Sequence, residues 1–360
     1  MTGNAPLTTL EDLVSHGLIA ADAAAALEPV IRRYTLRIPA GLAAPAAADP
    51  GGPIARQFVP QPDELHETPG ERADPIGDEA HSPVPGLVHR YPDRVLFTIP
   101  GTCAVYCRFC FRRESVGGAN AGILAPQAVE TALAYIREHA GIREVVFSGG
   151  DPFVLSPRRL GEITARLADI PHVRVIRFHT RVPAAAPERI TRPLIQALKR
   201  AGKPVYIALH ANHAAEFTEP VRAACARLVD AGFPMVSQSV LLKGVNDTPD
   251  ALEALMRAFV ENRIKPYYLH HLDPAPGTAH FRVPISEGQH LVKALRGRLS
   301  GLCQPHYMLD IPGGYGKIPL GPCGAVHDAA GGWEAEDFTG KTHRIDSGGT
   351  ASLEQVMRSE

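Results

Sequence analysis

Apolar and β-branched residues form seven short runs between about residues 93 and 312. The runs occupy 94–100, 144–150, 173–180, 205–211, 235–242, 267–272 and 307–312. Near-continuous apolar runs of this length are typical of strands that are buried on both faces. Amphipathic segments of helical period separate them, at 126–140, 157–170, 191–202, 248–263 and 286–301. This alternation predicts an α/β fold with a parallel sheet, and we expect a full or partial (β/α) barrel rather than an open sheet.

The two ends of the chain follow different patterns. Residues 1–92 begin with a helical pattern at Leu10, Leu13 and Leu18 and continue into AGLAAPAAADPGGP, a composition that predicts a connector. Residues 321–360 are glycine-rich and polar, which predicts a tail or an interface arm. We therefore expect an N-terminal extension (1–92), a barrel (93–320) and a C-terminal tail (321–360).

The composition is ordinary for a globular protein, with 45% hydrophobic and 21% charged residues. A formal net charge of −1 gives no bulk attraction to nucleic acid or to an acidic membrane. No apolar run approaches the roughly 20 residues that span a bilayer. The first residues also lack the basic start and apolar core of a secretory signal. We expect a cytoplasmic protein that does not bind nucleic acid or a membrane.

Three of the six cysteines lie within eight positions, in CAVYCRFC. Cys103, Cys107 and Cys110 follow the first barrel strand, at the end where barrel enzymes carry their active sites. Three thiolates can bind three irons of a [4Fe-4S] cluster and leave the fourth iron open. An open iron can chelate S-adenosylmethionine (SAM), whose reductive cleavage releases a 5′-deoxyadenosyl radical. The alternative is a structural zinc site with a remote fourth ligand, although zinc loops favour Cys-x2-Cys spacing.

A second motif, Ser148-Gly149-Gly150-Asp151, ends the next predicted strand. Glycines permit close approach of the backbone to a ligand, and an adjacent carboxylate can pair with an ammonium group. Gly-Gly-Asp alone is a common turn. Its place one unit after the cysteine loop favours a site for the amino-acid end of SAM.

The chain resembles the lysine 2,3-aminomutase family, whose members are radical SAM enzymes that also use pyridoxal 5′-phosphate (PLP). The matching stretches lie in the family's order between about residues 74 and 320. They are DPIGDEAHSPVPGLVHRYPDRVLF, CAVYCRFCFRR, FSGGDP, QSVLLKGVND, PYYLHHLDPAPGTAHFR and DIPGGYGKIPL. The resemblance implies a partial barrel that interconverts L-lysine and β-lysine, by hydrogen abstraction from Cβ and migration of the α-nitrogen.

The resemblance also implies roles for the residues that bind PLP. Lys317, in PGGYGK, matches the lysine that forms a Schiff base with the cofactor, and the glycine-rich loop would let it swing away. Arg90, Tyr91 and Arg94 match the PLP-binding HRYPDR segment, whose two guanidiniums suit a phosphate group. The alternatives are an exposed loop lysine and surface salt bridges.

Other matched positions belong to the substrate and to SAM. Arg112 matches the arginine that binds the substrate carboxylate, and Asp273 and Asp310 match two carboxylates that bind the distal ammonium of lysine. Two buried carboxylates need a cation and would repel a side chain that ends in a carboxylate. His210 and Gln238 match positions that line the SAM site, although either side chain can simply satisfy backbone groups.

The sequence departs from the family pattern at several positions. The clostridial type has an intersubunit zinc site built from a cysteine after GVND and a C-terminal cysteine cluster. Thr248 stands at the first position here, and no cysteine follows Cys323, so we expect this zinc site to be absent. His270 stands where the family often has tyrosine. Cys225, Cys303 and Cys323 have no implied role, and we expect buried free thiols.

The expected partners are L-lysine, an electron donor such as flavodoxin or ferredoxin, and further copies of the chain in a homo-oligomer. The YYLHHLD and CFRR stretches lean towards a subgroup that makes β-lysine for attachment to elongation factor P, whereas Asp310 favours turnover of free lysine. An aminomutase for arginine or glutamate remains an alternative. A non-catalytic iron–sulfur or zinc module would have no need of Lys317 or Arg112.

Overall fold

A computed structural model describes residues 5–118, 121–321, 324–327, 333–337 and 339–345. Nine strands form its main sheet, and their spatial order is their order along the chain. They are β1 (Leu87–Tyr91), β2 (Arg94–Thr98), β3 (Glu144–Ser148), β4 (Val175–Thr180), β5 (Val205–His210), β6 (Met235–Val240), β7 (Ile264–His270), β8 (His306–Asp310) and β9 (Lys317–Pro319). Strands β2 to β8 run parallel, whereas β1 and β9 pair antiparallel at the two edges.

The α-helices of the barrel region cover the outside of this sheet. They are α5 (Pro126–Glu138), α6 (Pro157–Ala168), α7 (Val182–Ala185), α8 (Arg192–Lys199), α9 (Glu219–Asp230), α10 (Pro249–Glu261) and α11 (Ile285–Arg298). Helix α6 shows the reason: Leu160, Ile163 and Leu167 recur every three or four residues and are all buried. The curled sheet with its helices is a partial β/α barrel, and it confirms the predicted fold class.

Four helices precede the barrel and form a core of their own. They are α1 (Leu10–Ser15), α2 (Ala24–Arg33), α3 (Ala40–Ala48) and α4 (Pro53–Phe58). The prediction of a connector in the Pro/Ala/Gly-rich stretch is wrong, because Leu42, Ala43 and Ala46 of α3 are buried in this core. Alanine has the highest helix propensity, and its small side chain lets α3 pack closely.

The C-terminal residues contain strands that the sequence analysis did not predict. Strands β10 (Ala325–His327), β11 (Trp333–Glu336) and β12 (Thr342–Ile345) form a separate antiparallel sheet. Its Glu336 lies 2.8 Å from the ammonium nitrogen of Lys293 on α11. Cys323 lies outside the described residues. Among the residues that are described, no helix has the length and apolar character needed to cross a membrane.

Candidate functional site

A cavity of about 490 Å³ lies within the curled sheet, towards the carboxyl ends of the parallel strands. Every site position predicted from the sequence lines it. These positions are Arg90, Tyr91, Arg94, Cys103, Cys107, Cys110, Arg112, Gly149, Gly150, Asp151, His210, Gln238, Asp273, Asp310 and Lys317. The fold therefore gathers residues from most of the chain into one chamber, at the end of the barrel where a site was expected.

The cysteine loop follows β2, and backbone hydrogen bonds fix it to the N-terminal helical segment. The Arg108 N–H donates to the Gln57 carbonyl at 2.8 Å, and the Tyr106 N–H donates to the Arg37 carbonyl at 3.2 Å. Beneath the loop, Glu64 is fully buried and accepts hydrogen bonds from both Arg108 and Arg113. This anchoring positions the three thiols on the cavity wall.

The three thiols are free and enclosed. Burial raises the pKa of all three, that of Cys107 to about 11, because a thiolate is poorly solvated there. A cationic iron cluster would reverse this preference and release protons as it binds. Within the described ranges, no three or more histidine, cysteine, aspartate or glutamate side chains form a group that could hold a single metal ion.

The glycine pair after β3 packs against the cysteine loop. A Cβ at Gly150 would lie 2.2 Å from the carbonyl oxygen of Thr102, and its N–H donates to the Pro100 carbonyl at 2.6 Å. Gly149 has a φ of +98°, a conformation that glycine adopts without strain. The close approach predicted for these glycines is therefore an approach to the loop that carries the cysteines.

Asp151 differs from its predicted role, because its carboxylate is already saturated by the protein. Oδ1 accepts hydrogen bonds from the Phe153 N–H at 3.0 Å and the Thr180 hydroxyl at 2.7 Å. Oδ2 accepts from the backbone N–H groups of Arg181 and Val182, at 2.7 and 3.1 Å. Four donors fill the lone pairs of a buried carboxylate. Asp151 therefore fixes the turn after β4. Its carboxylate has no lone pair left for the ammonium group that the sequence analysis assigned to it.

Arg181, which the sequence analysis missed, lines the cavity directly after β4. Its Nη2 donates to the Gln57 side chain at 2.7 Å and to the Glu216 carboxylate at 2.6 Å. Its Nη1 is buried and has no hydrogen-bond partner among the residues described. A buried guanidinium with a spare donor suits an anionic group such as a ligand carboxylate.

Two partly buried histidines also line the cavity, the predicted His210 and the unpredicted His179. Burial holds the pKa of both well below the usual value, so both rings are neutral. His210 Nε2 has no partner within the described part of the chain. His179 Nε2 lies 3.5 Å from the side-chain nitrogen of Gln238. Each ring therefore keeps hydrogen-bonding capacity for a bound molecule.

A carboxylate outside the predicted set, Asp78, joins two predicted arginines. Its Oδ1 accepts from Arg90 Nη2 at 3.0 Å, and its Oδ2 accepts from Arg112, from Nε at 3.1 Å and from Nη2. Arg112 Nη1 also donates to the Ser148 hydroxyl at 3.3 Å. The arginine assigned to PLP and the arginine assigned to the substrate are thus held by one carboxylate.

Lys317 begins the edge strand β9 and contacts the other edge of the sheet. Its backbone N–H donates to the Tyr91 hydroxyl at 2.8 Å, and the Arg94 guanidinium lies 3.8 Å from the centre of the Tyr91 ring. Arg90, Tyr91 and Arg94 come from β1 and the start of β2, so the predicted PLP residues meet where the partial barrel comes closest to closing.

Two carboxylates face the same chamber, the buried Asp310 and the partly buried Asp273. Asp310 accepts a hydrogen bond from the Lys317 ammonium on Oδ2, and His270 Nδ1 lies 3.7 Å from the same oxygen. Burial alone would raise the pKa of Asp310, but His270 and Lys317 outweigh it and hold the pKa well below its usual range. Burial and the Asp310 charge raise the pKa of Asp273 to about 7. Among the described residues, Oδ1 of each aspartate has no hydrogen-bond partner.

These residues fit the groups that the sequence predicts. Three free thiols suit a cubane cluster. Arg181 Nη1 and His210 Nε2, which have no hydrogen-bond partner within the described ranges, suit SAM. Arg90 and Arg94 supply cations for a phosphate, and Lys317 supplies an amine for an aldehyde. Among the described residues, Oδ1 of Asp273 and Oδ1 of Asp310 have no hydrogen-bond partner, so both oxygens can accept from a cationic ligand.

Comparison with known proteins agrees with this chemistry. The Radical SAM superfamily matches residues 97–257. The L-lysine 2,3-aminomutase of Acetoanaerobium sticklandii is 42% identical over 274 residues, which are 76% of this chain and 66% of that enzyme. The L-lysine 2,3-aminomutase of Escherichia coli K12 is 38% identical over 272 residues, 76% of this chain and 79% of that enzyme.

A glutamate 2,3-aminomutase, from Clostridioides difficile 630, is 37% identical over 270 residues, 75% of this chain and 63% of that enzyme. The chain spans about two thirds of the length of the Acetoanaerobium relative. It covers 79% of the length of the Escherichia coli relative. The chain belongs to the lysine 2,3-aminomutase family of radical SAM proteins.

Proposed function

We propose that this protein is a radical SAM, PLP-dependent 2,3-aminomutase that interconverts L-lysine and β-lysine. One observation carries the proposal: a single chamber holds Arg112, Lys317 and two carboxylates, Asp273 and Asp310, each of which has one buried oxygen without a hydrogen-bond partner in the described part of the chain. A substrate with a carboxylate at one end and an ammonium at the other would complement these charges. L-lysine has that form.

The cofactors would be held by the residues that fit them. Cys103, Cys107 and Cys110 would bind the [4Fe-4S] cluster, and Arg90, Arg94 and Lys317 would bind PLP. When bound, the cluster with SAM supplies a 5′-deoxyadenosyl radical, and PLP supplies an aldehyde for the substrate amine. Gly149, Gly150, His210 and Gln238 would line the SAM site with Arg181.

The protein's own part in the reaction is orientation. Arg112 would bind the substrate carboxylate, while Asp273 and Asp310 would bind the distal ammonium. Fixing both ends would hold Cβ in one place, and such positioning can contribute about 7–11 kcal/mol to lowering a barrier. Burial would also exclude water from a reactive radical. No side chain needs to act as a general base for hydrogen transfer.

The acidic pair separates lysine from glutamate. A glutamate side chain would place a third carboxylate beside Asp273 and Asp310, and like charges in a buried site repel strongly. An arginine side chain carries a cation and passes this charge criterion, so arginine remains the second candidate.

A substrate panel tests the proposal. We expect protein that has been reconstituted anaerobically with iron, sulfide, SAM, PLP and dithionite to convert L-lysine, to convert L-arginine more slowly, and to leave L-glutamate unchanged. Conversion of glutamate at a rate similar to lysine would contradict the assignment of the two aspartates.

Partners and pathway are further predictions. A one-electron donor such as flavodoxin or ferredoxin would replace dithionite, and we expect a homo-oligomer in the cytoplasm. Addition of elongation factor P and its ligase would distinguish a role in β-lysylation from turnover of free lysine.

Thr248 caps α10 by accepting the Ala251 N–H at 3.2 Å, so the position at which the clostridial enzymes have a zinc ligand serves here as a helix cap.

A further inference from the structure

Lys317 already occupies the place proposed for the end of the substrate. Its ammonium donates to Asp310 Oδ2, the carboxylate to which we assign the distal ammonium of lysine. The pairing follows from the register, because Lys317 stands directly opposite Asp310 in the antiparallel β8–β9 ladder. Side chains of directly opposed residues project to the same face of a sheet.

We propose that Lys317 fills the distal-ammonium subsite of the cofactor-free protein, so that PLP must be loaded before the substrate can bind at full affinity. This inference rests on the proposed function. It adds an order of assembly and a second role for Asp310, as the partner first of Lys317 and then of the substrate.

The chemistry of the two ammonium groups supports the exchange. The end of the lysine substrate is the same group as the end of Lys317, with three N–H donors and one positive charge. When bound, PLP would supply an aldehyde for Lys317. The C=N bond would replace the C=O bond, the aldehyde oxygen would leave as water, and the lysine nitrogen, having lost its ammonium proton, would keep at most one N–H. Lys317 would then no longer hold an ammonium against Asp310 Oδ2, and this oxygen would be open to the ammonium of the substrate.

Neither Asp273 nor His270 can replace a member of the Asp310–Lys317 pair. Asp273 has a pKa of about 7, so a large fraction of it is protonated at neutral pH and binds a cation weakly. His270, 3.7 Å from Asp310, has a pKa lowered by burial and is neutral, so it does not replace the Lys317 charge. In the cofactor-free protein, an incoming ammonium therefore competes with Lys317 for Asp310.

Calorimetric titration of the PLP-free, cluster-reconstituted protein tests this competition. The ligand is 6-aminohexanoate, which has the carboxylate and distal ammonium of lysine but no α-amine, and hexanoate is the control without an ammonium. We expect Lys317→Met to bind 6-aminohexanoate roughly tenfold more tightly than the parent, in the usual range for coupled sites. Lys317→Met should bind hexanoate no more tightly than the parent, and Lys243→Met, at an exposed lysine outside the cavity, should behave as the parent.

Equal affinity of the parent and Lys317→Met for 6-aminohexanoate would overturn the proposal while leaving the substrate assignment intact. A different result separates the two claims: if no form binds 6-aminohexanoate more tightly than hexanoate, the ammonium subsite itself is wrong and the proposed function fails with it. Lys317→Gln provides a second neutral variant, and far-UV circular dichroism checks that each variant is folded.

Discussion

At the scale of single residues, the partners of a buried charged group determine how strongly the cavity binds a ligand. Asp310 is 4% exposed and balanced by Lys317. Asp273 is partly buried, its Oδ1 has no hydrogen-bond partner among the residues described, and its pKa is about 7. An unpaired buried carboxylate is destabilising until a cation arrives. Asp273 is therefore the residue at which substrate binding should depend on pH.

The KM for L-lysine should fall by roughly tenfold between about pH 6 and about pH 8, because Asp273 is mostly protonated below its pKa of about 7 and mostly anionic above it. The lysine side chain keeps its charge over this range. Steady-state assays with dithionite as reductant measure the profile. In Asp273→Asn the KM should be high and independent of pH, and a parent-like profile in that variant would assign the titration to another group.

Asp78→Asn should lower kcat/KM for lysine by roughly 100-fold, the order expected when a positioning group shifts by about 1 Å. The change removes a carboxylate that fixes both Arg90 and Arg112. Kinetics of the reconstituted enzyme provide the measurement. The matched control is Asp230→Asn, which removes an exposed pair with Arg263 and should cost at most about 1 kcal/mol of stability and no activity.

At the scale of elements, the cysteine loop depends on the end of β3. The Gly150 and Asp151 N–H groups donate to the carbonyls of Pro100 and Thr102, at 2.6 and 3.0 Å. These bonds bring the two backbones together, so a side chain on Gly150 has no space. The position of the cluster ligands is therefore set partly by a strand that carries none of them.

Gly150→Ala should displace the loop and reduce the iron bound after reconstitution to a small fraction of the parent value. Iron analysis and visible absorption report this loss, and circular dichroism should show that the barrel persists. Gly41→Ala is the matched control, because nothing lies within 4 Å of a Cβ at that helical position. Full iron content in Gly150→Ala would show that the loop tolerates the contact.

The elements that the sequence predicted are those with a strong period. All seven predicted strands of the parallel sheet are present. In β2, β4 and β6 buried residues alternate with half-buried ones, so the burial on both faces that the apolar runs predicted is incomplete. The edge strands β1 and β9 were missed because both are short: only Leu87 and Val88 of LVHRY are buried, and no residue of KIP is. Helix α3 was missed because its alanines and prolines resemble a linker, and only its packing against the other N-terminal helices distinguishes the two.

The candidate site shows the same division. The cysteine and glycine motifs, together with the family resemblance, predicted fifteen positions that all line the cavity. Asp78, His179 and Arg181 were not predicted. The rule that sites lie at the carboxyl ends of strands would have pointed to His179 and Arg181, which lie at the end of β4. The misassignment of Asp151 could not be avoided, because its four donors come from backbone and hydroxyl groups whose positions depend on the fold.

At the scale of the whole molecule, the N-terminal segment stabilises the loop that carries the three cysteines. Glu64, from this segment, is fully buried and binds Arg108 and Arg113, which flank Cys110. Glu64→Gln should destabilise the protein by about 3–5 kcal/mol, because two buried guanidiniums lose their counter-ion. Chemical denaturation measures the loss. An unchanged denaturation midpoint would show that the N-terminal segment and the cysteine loop are energetically independent.

The central claim is that this chamber moves the α-nitrogen of lysine to Cβ, and one isotope experiment tests it directly. L-lysine carrying a heavy nitrogen isotope at the α-amino group is incubated anaerobically with the reconstituted parent or with Lys317→Ala, and the products are analysed by NMR. We predict β-lysine with the label on Cβ from the parent and none from the variant. Cleavage of SAM with the lysine unchanged would contradict the aminomutase assignment, and intact SAM in the presence of a reduced cluster would contradict the radical chemistry itself.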